Sequence, residues 1–220
     1  MIRGLFITGT DTGVGKTVAA AALLHRYRGA APLRYWKPIQ TGVEQDDDTA
    51  EVRRLGAWAD HEIFDQGVRL PRPLSPHLAA QCAGQTIDLR ALLASLPASG
   101  DTRWIVEGAG GLLVPLNDSE NMADWIALLG FPVLVVARAS LGTINHTLLT
   151  LEALRVRSLR IAGVLMVGDR NVDNRAAIER YGKTCVIGEM PRLDPLSRET
   201  LAEWSAVHLD PSGRLLEFLA

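Results

Sequence analysis

The first 24 residues restrict the fold more than any other stretch of the chain. An apolar segment from Ile2 to Thr8 leads into the glycine-rich turn Gly9-Thr10-Asp11-Thr12-Gly13-Val14-Gly15-Lys16-Thr17, and an Ala-rich segment follows. These patterns predict a strand, a loop and a helix. Glycines can adopt positive φ, so the loop N–H groups can face an anion beside the positive end of the helix. With Lys16 reaching the phosphates and Thr17 able to ligate Mg²⁺, the stretch predicts a nucleoside triphosphate as ligand.

The loop departs from the common phosphate-loop spacing at one position. Five residues, not four, separate Gly9 from Gly15, and Thr10 takes the place of the usual first glycine. A loop that only joins a strand to a helix is the alternative interpretation. Gly-Lys-Thr at a strand-to-helix junction favours phosphate binding.

Size and composition indicate one globular domain spanning residues 1–220. The chain has 220 residues, 47% of them hydrophobic and 22% charged, enough for a substantial α/β core. A net charge of −2 without a basic face predicts no nucleic-acid partner. Cys82 and Cys185 are not at metal or redox spacing, which is typical of a reduced cytoplasmic protein. The first residues lack an export signal, and no apolar run predicts a membrane span.

Further apolar segments predict the rest of a sheet. The predicted strands after the first are 33–36, 103–106, 132–137, 159–167 and 184–187, and the predicted helices are 49–58, 86–96, 122–129 and one that begins near 143 and reaches about 157, with more after 193. Residues 61–85 contain three prolines and predict an irregular connection with one short helix from about 78 to 82. The fold class is therefore α/β, a single-domain P-loop NTPase fold with a mostly parallel sheet of six or seven strands and helices on both faces.

Charged residues follow two of these strands at the edge where parallel sheets bind ligands. Lys37 comes directly after the second strand, where a solvated lysine is the alternative interpretation. Glu107 follows the strand at 103–106 and precedes glycines, a pattern of Mg²⁺-associated carboxylates, although a glycine turn with an incidental Glu is the alternative. The run Asp46-Asp47-Asp48 precedes a helix, so these carboxylates either cap that helix or bind Mg²⁺.

A second candidate anion site lies at the start of the helix near 143. The segment Ser140-Leu141-Gly142-Thr143-Ile144-Asn145-His146 has no acidic residue, so the helix start can receive a carboxylate or a phosphate. His146 either packs on the helix or takes part in chemistry. Asp169, Asn171 and Asp173 resemble the start of a calcium loop, but Asn174 and Arg180 occupy the positions that would need Gly and Glu, which excludes that site.

Four segments together resemble the dethiobiotin synthetase family. They are the phosphate loop, Lys37-Pro38-Ile39-Gln40-Thr41-Gly42, Val106-Glu107-Gly108-Ala109-Gly110-Gly111 and Leu141-Gly142-Thr143-Ile144-Asn145-His146. They occur in the family's order and spacing, and the resemblance extends from the first strand to about Leu193. It implies a homodimeric, Mg²⁺-dependent ligase of biotin biosynthesis, which closes a ureido ring on 7,8-diaminononanoate with CO₂ and ATP. In this family a carbamate forms on one amine, takes the γ-phosphoryl group, and is attacked by the second amine.

The resemblance also implies roles for individual residues. Lys37 and Lys16 would be catalytic, and Thr17, Asp48 and Glu107 would bind Mg²⁺, with Asp48 preferred over its neighbours because the predicted helix begins directly after it. The nucleotide would contact Gly13, Val14, Gly15, Lys16, Thr17, Val18, Asp48, Glu107, Gly108, Ala109, Gly110, Pro191, Arg192 and Leu193. The diamine or carbamate would contact Thr12, Lys37 and Thr41, and its carboxylate would bind across the dimer interface at the partner's Gly142, Thr143, Ile144 and Asn145.

One departure from the family leaves the nucleobase open. The family often has Asn after the strand that here ends in Met166-Val167-Gly168-Asp169, where it reads adenine, and the first Asn here is Asn171. ATP is the expected nucleotide, with other nucleoside triphosphates as alternatives. A positioning ATPase of the cell-division or plasmid-partitioning kind is another class with this loop, but it would have lysine where this chain has Asp11. Amidotransferases of cobalamin synthesis need a further domain that 220 residues do not hold.

Overall fold

The computed structural model describes residues 2–97 and 100–219. Within them, the strands are β1 (Arg3–Gly9), β2 (Leu33–Trp36), β3 (Ile39–Thr41), β4 (Ile63–Phe64), β5 (Val68–Leu70), β6 (Arg103–Gly111), β7 (Val133–Arg138), β8 (Ile161–Val167) and β9 (Val186–Met190). Seven of them form a sheet in the order β4-β2-β6-β1-β7-β8-β9, and each pair in it is parallel. Strands β3 and β5 form a separate parallel pair.

Helices connect the strands. They are α1 (Lys16–Tyr27), α2 (Asp48–Gly56), α3 (Pro76–Cys82), α4 (Leu89–Ala94), α5 (Met122–Leu129), α6 (Thr143–Val156), α7 (Val172–Gly182), α8 (Arg198–His208) and α9 (Leu216–Leu219), and Asp60–Glu62 form a single 3₁₀ turn. None of the helices in the described part of the chain is long and apolar enough to cross a membrane.

Two hydrophobic clusters lie on opposite faces of the sheet. Successive side chains of a strand point to opposite faces, and in β1 Phe6 joins one cluster while Leu5 and Ile7 join the other. The first cluster contains side chains of α4, α5, α6 and α7, and the second contains side chains of α1, α2 and α8. The prediction of a mostly parallel sheet with helices on both faces is therefore confirmed.

The prediction for residues 61–85 was wrong in part. The short helix is present as α3, but the segment also contains β4 and β5, which are strands of only 2 and 3 residues. Such strands are too short to show an alternating pattern, and they form because β4 pairs with β2 and β5 pairs with β3. Tertiary pairing, not local sequence, determines them.

Side-chain caps shift two predicted helix starts. Asp47 accepts hydrogen bonds from the N–H groups of Thr49 and Ala50, so α2 begins at Asp48 itself and not directly after it. Asp88 caps α4 in the same way, and that helix begins at Leu89, later than the predicted position 86.

Candidate active site

The phosphate loop joins the end of β1 to α1 through left-handed backbone. Gly13 and Gly15 have φ values of 67° and 98°, which a residue with a side chain rarely adopts. Lys16 Nζ donates to the Asp11 carbonyl at 3.0 Å across the loop. Burial, together with the nearby charge of Lys37, lowers the pKa of Lys16 to about 8. The loop thus holds a poorly solvated ammonium group at the start of a helix, as phosphate binding requires.

An ion pair that the sequence analysis did not identify holds the first turn of this loop. Arg138, at the end of β7, places Nη1 3.0 Å from Asp11 Oδ2 and donates from Nη2 to the Thr12 carbonyl at 2.8 Å. Asp11 Oδ1 also accepts from the Thr12 N–H at 2.7 Å, and this bond, followed by the bond from Arg138, lowers the pKa of Asp11. Both carboxylate oxygens therefore restrain the turn that carries Thr12.

Lys37 lies between two carboxylates. Its Nζ is 2.6 Å from Asp48 Oδ2 and 2.7 Å from Glu107 Oε1, and it also donates to the Gly108 carbonyl at 3.1 Å. Only 3% of Lys37 is exposed, so it is not the solvated lysine of the alternative interpretation. Burial alone lowers the pKa of Lys37, but Glu107 and Asp48 outweigh it and hold that pKa above its ordinary value. The group is a charged ammonium with carboxylate partners.

Strand register brings Glu107 to the phosphate loop. In the pairing of β1 with β6, Glu107 is level with Ile7, two residues before the loop begins. Its Oε1 accepts from the Thr17 hydroxyl at 3.0 Å, and its Oε2 accepts from the Tyr35 hydroxyl at 2.8 Å. Burial, followed by the charge of Glu107, raises the pKa of Tyr35 well above its ordinary value. Glu107 is fully buried, so it is not an incidental residue of a turn.

The structure distinguishes the three acidic residues before α2. Asp47 caps the helix, and the Asp46 carbonyl accepts from Gln40 Nε2 at 2.9 Å. Asp48 instead accepts a hydrogen bond from the Thr17 hydroxyl on Oδ1 at 2.9 Å, and its Oδ2 forms an ion pair with Lys37. Burial raises the pKa of Asp48, but the charge and hydrogen bond of Lys37, together with the Thr17 hydroxyl and the charge of Lys16, outweigh burial and lower that pKa overall.

The donor set around Thr17 suits a magnesium ion. Its hydroxyl lies within 3.0 Å of one oxygen each of Asp48 and Glu107, so three hard oxygen ligands converge at the start of α1. In residues 2–97 and 100–219, no group of three or more His, Cys, Asp or Glu residues is placed to hold a metal. Because Mg²⁺ takes few protein ligands and completes its shell with water and phosphate oxygens, this set fits the ion when a nucleotide is present.

Other predicted residues surround this centre. Gly110 has a φ of 67°, and a Cβ there would come within 3.7 Å of the Thr12 hydroxyl, so this glycine lies beside the loop. Thr41 ends β3, which lies outside the main sheet. Gly142, with a φ of 94°, precedes α6 without a side-chain cap, and Leu141 is fully exposed.

The ends of β8 and β9 form the far side of the site. A Cβ at Gly15 would lie 3.2 Å from Val167, so the end of β8 contacts the phosphate loop. Gly168 donates its N–H to the Met190 carbonyl at 2.8 Å, which brings the segment of Pro191, Arg192 and Leu193 to the same edge. Asn171 caps α7 and Asn174 binds the Ala139 carbonyl. Both asparagine side chains therefore stabilise local structure.

Known proteins of similar sequence share one name. A model of the AAA domain family matches residues 3–200. An ATP-dependent dethiobiotin synthetase from Nitrobacter hamburgensis is 45% identical over 203 residues, which are 92% of each chain. One from Agrobacterium fabrum is 45% identical over 93% of each chain, and one from Rhodopseudomonas palustris is 44% identical over 96% of each.

Solved structures of low sequence identity share the fold. A ParA family ATPase from Chlorobium tepidum superposes with a TM-score of 0.54 at 12% identity, over 93% of this chain and 98% of that one. The MinC:MinD cell division complex of Aquifex aeolicus gives 0.56 at 15% identity, over 98% of this chain and 95% of that one. These similarities show the fold alone. The relatives at 44 to 45% identity carry the functional assignment, and the chain belongs to the ATP-dependent dethiobiotin synthetase family.

Proposed function

We propose that this protein is a Mg²⁺-dependent ligase that closes the ureido ring of dethiobiotin from 7,8-diaminononanoate, CO₂ and ATP. The observation that carries the proposal is the placement of Lys37, which lies within 2.7 Å of both Asp48 and Glu107 beside the phosphate-loop residue Thr17. This cluster joins a cation for developing negative charge to hard ligands for a metal. Membership of the family indicates the substrate, and the cluster contains the groups that phosphoryl transfer needs.

The two lysines stabilise the charge that accumulates during phosphoryl transfer. A carbamate attacking a triphosphate brings two anions together, and fixed cations at that point lower the barrier. Lys16 ends the phosphate loop and begins α1, and Lys37 donates to the Gly108 carbonyl of β6, the strand beside β1, so the reacting groups would bind near both lysines. Both are nearly excluded from water, at 7% and 3% exposure, which strengthens their interaction with phosphate.

Magnesium would be held by Thr17, Asp48 and Glu107 together with phosphate oxygens. When bound, it neutralises charge on the triphosphate. Lys37 shares both carboxylates with that site, and it would stabilise charge on the carbamate, which Thr12 and Thr41 would orient.

A homodimer would supply the remaining part of the substrate site. Two large apolar side chains seven residues apart on one face of α6 are exposed, Leu149 at 57% and Val156 at 76%. Leu141, in the loop before the helix, is fully exposed as well. These three side chains lie among exposed polar residues of the helix and are available to a second copy of the chain. The start of α6, at Gly142 to Asn145, would then bind the substrate carboxylate of the partner's site.

The reaction itself is the primary test. The purified protein is incubated with 7,8-diaminononanoate, bicarbonate and Mg²⁺, with ATP, CTP and GTP in turn, while dethiobiotin is followed by mass spectrometry and phosphate release is measured. We expect both products to depend on the diamine, and the ranking of the nucleotides will show which base the edge at Gly168 and Pro191 accepts. Nucleotide hydrolysis that is indifferent to the diamine would contradict the ligase and favour a positioning ATPase.

Mixed dimers test the shared site. Lys37→Ala damages the site of its own subunit, and Asn145→Asp places a negative charge where the partner's substrate carboxylate would bind. In a mixed dimer both defects fall in one site and leave the other intact, so an equal mixture should regain about a quarter of wild-type activity. Failure to regain activity, in a mixture shown by native mass spectrometry to contain mixed dimers, would contradict a site built across the interface.

A further inference from the structure

Tyr35 is a buried polar group of the site to which the reaction assigns no role. Both Tyr35 and Glu107 are fully buried, and the Tyr35 hydroxyl donates to Glu107 Oε2 at 2.8 Å. An ionised carboxylate only accepts hydrogen bonds, so the direction of this bond is fixed. The hydroxyl therefore acts on Glu107 and on no reacting group.

The sheet places Tyr35 and Lys37 on the same side. Residues two apart in an extended strand point to one face, and Tyr35 pairs with Ile105 in the register of β2 and β6. Ile105 is two residues before Glu107, so the same spacing that separates Tyr35 from Lys37 separates Ile105 from Glu107. One strand thus presents two donors to a single carboxylate of its neighbour.

The two donors take different oxygens of Glu107. Oε1 accepts hydrogen bonds from Lys37 Nζ at 2.7 Å and from the Thr17 hydroxyl at 3.0 Å, and Oε2 accepts one from the Tyr35 hydroxyl. Throughout residues 2–97 and 100–219, Tyr35 is the only hydrogen-bond donor to Oε2. The tyrosine therefore fixes the rotation of the carboxylate and directs Oε1 towards Thr17.

We infer that Tyr35 is a positioning residue of the magnesium-nucleotide site, which holds Glu107 so that Oε1 faces the Thr17 hydroxyl. This inference rests on the proposed function, in which Thr17, Asp48 and Glu107 hold Mg²⁺. Tyr35 bonds to Oε2 and Lys37 to Oε1, so Tyr35 holds the carboxylate independently of the lysine. Partners of this kind, which touch a ligand and not the metal, commonly change metal affinity by about 10- to 100-fold.

The test is the magnesium requirement of nucleotide binding, which needs no turnover. ADP affinity is measured by calorimetry in EDTA and over a series of Mg²⁺ concentrations, for the wild type and for Tyr35→Phe. We expect the affinity in EDTA to be unchanged, and the Mg²⁺ concentration at half-maximal effect to rise about tenfold. Tyr27→Phe is the matched control, because it also removes a buried hydroxyl bonded to a carboxylate, Asp210, but at the other end of α1. It should leave the magnesium requirement unchanged.

A double variant separates positioning from a general loss of packing. In Glu107→Gln the group that Tyr35 orients is already altered, so adding Tyr35→Phe should not raise the magnesium requirement further. The double variant removes the buried charge of Glu107 together with its donor Tyr35. It can therefore still be compared with Glu107→Gln if Tyr35→Phe alone folds poorly.

The outcomes distinguish this inference from the proposed function. An unchanged magnesium requirement in Tyr35→Phe, or a further rise in the double variant, would overturn the role of Tyr35 and leave the ligase intact. A wild-type protein whose ADP affinity does not respond to Mg²⁺ would instead overturn the proposed metal site.

Discussion

Two buried carboxylates of this protein each accept a tyrosine hydroxyl, but their other partners differ. Glu107 accepts a hydrogen bond from the Tyr35 hydroxyl, and its other donors among the described residues are the side chains of Lys37 and Thr17. Asp210, between α8 and α9, receives Tyr27, and its remaining donors include the backbone N–H groups of Arg214 and Leu215 at 3.0 and 2.6 Å. The three donors described for the first carboxylate are side chains, which can change conformation, whereas two of those for the second are backbone N–H groups, which the fold keeps in place.

This difference separates a reactive site from a structural one. Backbone amides stay in place as long as the chain is folded, so Asp210 joins the C-terminal segment to α1. An ammonium group and a hydroxyl can change partners, as the proposed metal site at Glu107 requires. We expect substitutions around Glu107 to change activity and substitutions around Asp210 to change stability. Two measurements test that division directly, and two more ask whether it extends to the phosphate loop and to a buried histidine.

Lys37→Ala should give the largest effect. The variant should fold normally but turn over about 10²- to 10³-fold more slowly, because it loses a preorganised group that stabilises charge in the transition state. Turnover is measured as dethiobiotin formed at saturating nucleotide, with Lys183→Ala as control, since Lys183 is the one lysine outside the site. Near-normal turnover would remove Lys37 from the mechanism.

Asp210→Ala should lower the free energy of unfolding by about 3 kcal/mol, because it leaves the Tyr27 hydroxyl and two backbone N–H groups buried without their acceptor. Urea denaturation measures the change, and activity per folded molecule should be unaffected. Asp60→Ala is the control: the Asp60 side chain is 97% exposed and its loss should have little effect. A stable Asp210→Ala with reduced kcat would reverse the roles assigned to the two carboxylates.

Arg138→Gln should have a smaller effect on the phosphate loop. The Arg138 side chain is 48% exposed, so its ion pair with Asp11 contributes at most about 1 kcal/mol, and we expect about fivefold weaker ADP binding. Calorimetry checks this, with Arg54→Gln as control, because Arg54 forms an exposed pair with Glu51 on α2. If both variants bind ADP like the wild type, the ion pair does not order the loop.

His25 should give the smallest effect, and only in acid. Burial lowers the pKa of His25 below its ordinary value of 6.5, with a smaller contribution from Arg28, although the Leu55 carbonyl opposes the shift. Above pH 6.5 the histidine is mostly neutral in both the folded and the unfolded state, so it does not lower the free energy of unfolding. As the pH falls from 6.5 towards the lower pKa of the folded state, the unfolded chain binds the proton more readily and stability is lost.

His25→Gln should therefore lose less stability than the wild type between pH 7 and pH 5, as measured by urea denaturation at each pH. His61→Gln at an exposed position is the control. Identical pH profiles for His25→Gln and the wild type would show that burial of the His25 ring does not cause the loss of stability in acid.

The sequence predicted the parts of the site that depend on local pattern. Glycines before Gly-Lys-Thr predict the phosphate loop, and the apolar strand before Lys37 predicts where that residue lies, just after the carboxyl end of β2. The prediction that Glu107 follows its strand was wrong: β6 continues through Glu107 to Gly111, because these residues pair with Ile7 and Gly9 of β1. Asp48 was singled out from the resemblance and from its place near a helix start, although the helix cap proved to be Asp47.

The missed features depend on contacts between distant residues. Arg138 and Asp11 are 127 positions apart, and their pairing follows only from the adjacency of β7 and β1. Tyr35 was predicted only as part of the strand at 33–36, although its position two residues before Lys37 was a signal that both point to one face. Strands β3, β4 and β5 are too short to carry a pattern of their own.

Because β2 pairs with β6, enzymatic activity depends on the correct register between these two strands. Glu107 lies on one of these strands, and Tyr35 and the residue after its end, Lys37, lie on the other. A slip of one residue between them would keep most of the hydrogen bonds of the sheet, yet it would turn the donors to the opposite face from the carboxylate. Such a molecule would retain the spectrum of an α/β protein and have no catalytic centre. In a search for stabilised or redesigned versions of this chain, turnover would therefore detect a misaligned sheet that measurements of secondary structure would miss.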